Sequence, residues 1–147
     1  VGFHALPPLA PGGLVELTRS SGTSALAAAR AEEVFASLGL HTAWVGDAPG
    51  LVLGRLVAQL VNEAAVAVGE GVGSAADIDA GMMLGLNHPR GPLTWGDLIG
   101  LDHVLAILDA LHAELGDPAY RAAPLLRRLV AEDRLGAPSG SGFHDPA

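Results

Sequence analysis

The chain has 147 residues, half of them apolar but only 4% aromatic, with a formal net charge of −8. All eight basic residues are arginines and there is no cysteine. This composition excludes a P-loop lysine, Schiff-base chemistry, a disulfide framework and a cysteine nucleophile. The acidic balance also argues against a nucleic-acid partner, which calls for a basic surface.

Residues 1–17, VGFHALPPLAPGGLVEL, read as a strand, a Pro-rich turn and a second strand. His4 and Glu16 lie on either side of that turn. Thr23 or Ser24 is a helix N-cap, and the helix runs over residues 25–38. Leu26, Val34, Phe35 and Leu38 mark its apolar side, and Gly39 suits the position after its end. A strand over residues 41–45 follows, then a turn at 47–50. Two strands around one helix predict a βαβ unit with parallel strands. Alone it exposes sheet edges, so the chain reads as a piece of a longer polypeptide.

After Gly50 the pattern turns helical. Leu53, Leu56, Val57, Leu60, Val61, Ala64, Ala65 and Val68 recur at steps that put them on one broad face. Ser74 and Asp77 match a capping box for a helix over residues 75–84. Thr94 with Asp97 predicts a cap for a short helix ending near Ile99. Asp102 predicts one for a helix with the stripe Leu105, Leu108, Leu111 and Leu115, with Val104 and Ile107 beside it. A last helix is expected over 125–133, and the Gly/Ser/Pro-rich residues 137–147 as a loose tail on which Phe143 docks. Arg55, Gln59, Asn62 and Glu63 interrupt the most apolar stretch, so no membrane span is expected. No signal peptide is visible, and a cytoplasmic location is expected.

Most motif candidates read as structure. Gly69–Ser74, GEGVGS, has the wrong glycine spacing for a dinucleotide loop and follows a helix, so it reads as a helix end and turn. His103 and His112 fall on opposite faces of one helix, and no metal site is expected. Asp77-Ile78-Asp79 and Arg127-Arg128 read as solvated helix faces, and Met82-Met83 as core or interface. His4 and Glu16 remain. Their spacing is compatible with a general base and an orienting carboxylate, but taken alone it reads more readily as a strand-end histidine beside an incidental glutamate.

Larger patterns decide between these. Residues 47–55, DAPGLVLGR, resemble the D-x-P-G-F-x-x-N-R element of the 3-hydroxyacyl-CoA dehydrogenases. The likeness continues through EGVGSAADID, LNHPRGPL, GDPAYRAAPLLRRLV and GSGFHD, and covers nearly the whole chain. The opening GFHALPPLAPGGLVEL is similar to the family's G-x-H-F-x-N-P…L-V-E-V. The resemblance implies a mainly α fold, the family's helical C-terminal-type bundle preceded by a short βαβ remnant. Residues 1–48 would then be the last part of a Rossmann-like domain, 49–136 a helical dimerisation and substrate domain, and 137–147 a flexible tail.

By the same resemblance His4 falls on the catalytic base and Glu16 on the glutamate that orients it. The family's amide-bearing asparagine is replaced by Gly54. Pro7, Ala5 and Leu51 also depart from the pattern. The parent protein is expected to use NAD, but this chain is expected to bind no cofactor itself. It resembles the second, eroded helical copy of a long-form member, with His4 and Glu16 a relic, or else a piece of an ordinary two-domain member with an unusual site; as this fragment it is expected to be inactive. Its expected partners are an acyl-CoA substrate and either a second copy of itself or the rest of its parent. The long apolar helices beginning near Leu51 and Leu101 are expected to supply the pairing face.

Overall fold

The computed structural model describes residues 1–144; residues 145–147 of the expected tail lie outside the described residues. The chain divides into two compact units, Val1–Arg55 and Leu56–Ala147.

In the first unit, β1 (Gly2–His4), β2 (Leu14–Thr18) and β3 (His41–Trp44) form one sheet in that order. β1 runs antiparallel to β2, and β2 parallel to β3. A parallel pair cannot be closed by a tight turn. Helix α1 (Ala25–Ser37) makes the crossover, as the βαβ expectation requires. Ser24 caps it, its hydroxyl accepting from the Ala27 amide at 3.1 Å. Gly39 takes the left-handed conformation, φ 73°, just past its end. The buried side differs from the expected one. Leu26, Val34 and Leu38 are exposed, whereas Ala28 is buried. Ala31 and Phe35 pack with Ala5 and Trp44 on the core of Val15, Leu17 and Leu40. Ala28, Ala31 and Phe35 lie at helical spacing, and the two small residues let the helix approach closely.

Helix α2 (Leu53–Gly69) begins in the first unit and continues into the second. There follow α3 (Ala75–Leu86), α4 (Pro92–Ile99), α5 (Leu101–Leu115), a single 3-10 turn at Pro118–Tyr120 and α6 (Pro124–Ala131). The capping box forms as expected. The Asp77 amide donates to Ser74 Oγ at 3.2 Å, and the Ser74 amide to Asp77 Oδ2 at 3.2 Å. Donation by Ser74 also holds the Asp77 carboxyl below its usual range.

Two caps differ from expectation. α4 starts at Pro92, where the missing N–H costs nothing, so Thr94 lies inside the helix. α5 starts behind Gly100, and Asp102 sits in its first turn without capping it. The α5 stripe is correspondingly rotated: Leu101, Val104, Ile107, Leu108 and Leu111 are buried, while Leu115 is half exposed. Apolar side chains are exposed on α3, at Met83, Leu84 and Leu86, and also at Leu56 of α2 and Leu115 of α5.

Asn62 of α2 is buried and bonds to the chain entering α6. Its Nδ2 donates to Arg121 O at 3.1 Å, and its Oδ1 accepts from the Ala123 amide at 2.8 Å. Asn62→Ala would leave the partly buried Arg121 carbonyl and the buried Ala123 amide without this partner. The variant is expected to lose about 2 kcal/mol or more of unfolding free energy, read by thermal or urea unfolding.

The tail is a second correction. Asp97 accepts from the amides of Phe143 and His144 at 2.8 and 3.0 Å, and Arg134 Nη2 donates to Gly142 O at 2.7 Å. Phe143 is buried. A Cβ on Gly142 would collide with Asp97 Oδ1. The glycine there permits close approach, and residues up to His144 are held by these hydrogen bonds.

Candidate active site

The candidate site is built by strand register. His4 ends β1 and stands directly opposite Glu16 of β2. Cross-strand neighbours bring their Cβ atoms to roughly 5 Å, within reach of two long side chains. His4 Nδ1 lies 3.8 Å from Glu16 Oε2. That is an electrostatic contact, longer than a hydrogen bond. The His4 side chain is 14% exposed and that of Glu16 only 3%. A base that must meet a ligand needs some access, and a carboxylate that only orients it needs none.

The third member comes from the start of α2. The Leu53 amide donates to Glu16 Oε1 at 3.1 Å and to Oε2 at 3.0 Å. The first amides of a helix lack internal acceptors and carry partial positive charge, so a carboxylate is favoured there. Gly54 is the next residue of this turn and is buried. It contributes no side chain. The fold thus brings His4 and Glu16 together and places Gly54 beside the amide that holds Glu16.

A second polar cluster, which sequence reasoning missed, lies in the other unit. Asp79 is not on a solvated face; it is 6% exposed. It accepts from the Leu93 and Thr94 amides at 2.8 and 2.9 Å and from Thr94 Oγ1 at 2.6 Å. His144 Nε2 stands 2.9 Å from its Oδ2. Asp79 therefore caps α4 from another helix, in place of a local side chain. A Cβ on Gly91 would collide with its carboxyl group. A visible signal was the start G-P-L-T, which supplies no good cap of its own. Burial pushes the nearby Asp97 carboxyl above its usual range, against the amides of His144 and Phe143 that favour its charge. With four donors on one carboxylate, Asp79 is arranged for structure rather than turnover.

Among the described residues no group of three or more His, Cys, Asp or Glu is arranged to hold a metal. No helix of the described residues is long and apolar enough to cross a membrane. The glycine run after Val68 joins α2 to α3, with Gly71 at φ 75°. It offers a dinucleotide no strand-to-helix cradle.

Residues 50–146 match the model of the 3-hydroxyacyl-CoA dehydrogenase C-terminal domain. The chain belongs to that family. It is 44% identical over 144 residues to a probable 3-hydroxybutyryl-CoA dehydrogenase of Deinococcus radiodurans, covering 98% of this chain and 52% of that protein. A probable 3-hydroxybutyryl-CoA dehydrogenase of Bacillus subtilis is 42% identical, with 99% and 50% covered. Among solved structures, the (S)-3-hydroxybutyryl-CoA dehydrogenase of Ralstonia eutropha superposes with a TM-score of 0.85 at 41% identity, covering 99% of this chain and 52% of that one. This member of the 3-hydroxyacyl-CoA dehydrogenase family therefore spans about half the length of the relatives it matches.

Proposed function

We propose that the chain is the C-terminal portion of an NAD-dependent 3-hydroxyacyl-CoA dehydrogenase acting on 3-hydroxybutyryl-CoA-like substrates. The cross-strand placement of His4 against Glu16, in a chain of this family, carries the reading. With Nδ1 turned to the carboxylate, Nε2 is the nitrogen that takes the proton of a 3-hydroxyl. A neutral imidazole suits that transfer near pH 7. Glu16 orients the ring and stabilises the imidazolium that forms. The glycine run Gly69–Ser74 joins two helices and gives NAD no strand-to-helix cradle at that place.

The chain's own share is enclosure of the acyl-CoA and pairing, as a homodimer or on the rest of its parent, and alone it is proposed to be inactive. The exposed Met83, Leu84 and Leu86 of α3 support the pairing. Relatives about twice its length support a place in a two-domain member over the second copy of a long one. A cytoplasmic location belongs to the same proposal.

One observation favours a second reading, a non-catalytic acyl-CoA-binding or docking module. Gly54 offers no side-chain amide where the resemblance places an asparagine, and a missing preorganised donor typically costs about 3 kcal/mol of barrier stabilisation. The full-length protein with NAD and (S)-3-hydroxybutyryl-CoA separates the two. Formation of NADH is the expected result. Calorimetric binding of the acyl-CoA without NADH would replace the enzyme reading by the second.

A further inference from the structure

Glu16 is gripped by a group that no side-chain motif announces. Both its oxygens accept from the Leu53 amide, and Oε2 is shared with the His4 contact at 3.8 Å. Leu53 is the first residue of α2, so its amide is one that the helix leaves without an internal acceptor. A specific turn delivers it. The Leu51 amide donates to Ala48 O at 3.0 Å, and Gly50 and Leu51 are both left-handed, at φ 73° and 49°. For a leucine that conformation costs roughly 1–2 kcal/mol. The Leu51 side chain is buried, and its burial offsets that cost. Backbone strain of this kind persists where the surroundings dictate it, often beside functional groups.

We propose that the Leu53 amide is the positioning group of the His4–Glu16 pair, fixing the carboxylate so that Oε2 serves the start of α2 and the imidazole together. This rests on the reading of His4 as the base. The amide withdraws part of the carboxylate's charge from the ring. Without it, Glu16 would turn more fully to His4 and favour the protonated imidazole. The base would then be blocked by a proton at higher pH.

The test is Leu53→Pro in the full-length protein. Proline suits the first helical position and removes the N–H together with the leucine side chain. Leu53→Ala, which keeps the N–H, is the control. For Leu53→Pro the acid limb of the kcat/KM profile is expected to move up by about half a pH unit or more. Its kcat is expected to fall about tenfold with KM little changed. Leu53→Ala should keep the parent's profile. A Leu53→Pro limb at the parent's pH overturns the proposal, and so does an equal shift in Leu53→Ala.

A measurement on the unsubstituted full-length protein stands if the proline variant does not fold. By NMR the Leu53 amide proton should titrate together with the His4 ring, and Glu16→Gln should abolish that response. An amide indifferent to pH overturns the proposal. This arm needs no turnover. An unchanged kcat in His4→Ala would sink the base reading alone and leave the amide titration to be judged by itself.

Discussion

His4→Ala in the full-length protein is expected to lower kcat by about 10²–10⁴-fold, with KM little changed. A positioned base acts only as the proton moves, so its loss raises the barrier without weakening the ground-state complex. The geometry makes the effect specific. The register that sets His4 opposite Glu16 offers the ring one carboxylate, itself pinned by α2. Alanine deletes the ring but leaves the β1–β2 ladder, which is backbone, intact. Steady-state kinetics with NAD and (S)-3-hydroxybutyryl-CoA would measure it, with circular dichroism as the check on folding. A kcat within threefold of the parent would place the base elsewhere.

Asp79→Ala is expected to be the most damaging substitution for stability in the second unit. It removes one buried acceptor from four donors: the amides of Leu93 and Thr94, the Thr94 hydroxyl and the His144 ring. Each buried donor stripped of its acceptor costs about 1–3 kcal/mol, and water reaching the vacated space offsets part of that. A net loss of about 3–5 kcal/mol follows, a large part of the roughly 5–15 kcal/mol that holds a domain folded. Asp79→Asn keeps the volume but turns an NH₂ group towards donors, so it should recover little. Urea unfolding of both variants measures this. A loss under about 1 kcal/mol would show that the four contacts are not what holds α4 and the C-terminal residues in place.

The features legible in the sequence are those whose causes are local. The Ser24 cap, the Ser74–Asp77 box and the strand–helix–strand order depend on residues within a few positions of one another, and each appears where expected. The α5 stripe was displaced because Val104 and Ile107 were set beside it while Leu105 and Leu115 were counted in it. Asp79 was misread because its partners lie 14 and 65 positions away, across a helix boundary and near the chain's end. The hydrogen bonds of residues 137–144 are not legible in the sequence, because glycine marks either freedom or close approach and composition does not say which. For the candidate site, spacing named His4 and Glu16 as possible companions. The Leu53 amide left no trace, because every residue but proline has one.

The cross-strand meeting of His4 and Glu16 depends on ladder pairing, not on how many residues separate them. Residues 5–13 can therefore grow or shrink among related chains while imidazole and carboxylate still meet. A single residue inserted within β2 ahead of Glu16 would instead turn that side chain to the opposite side of the sheet, because neighbours on a strand point in alternate directions. What descent must preserve here is odd-or-even position along two strands, a quantity that a fixed-spacing search pattern does not encode.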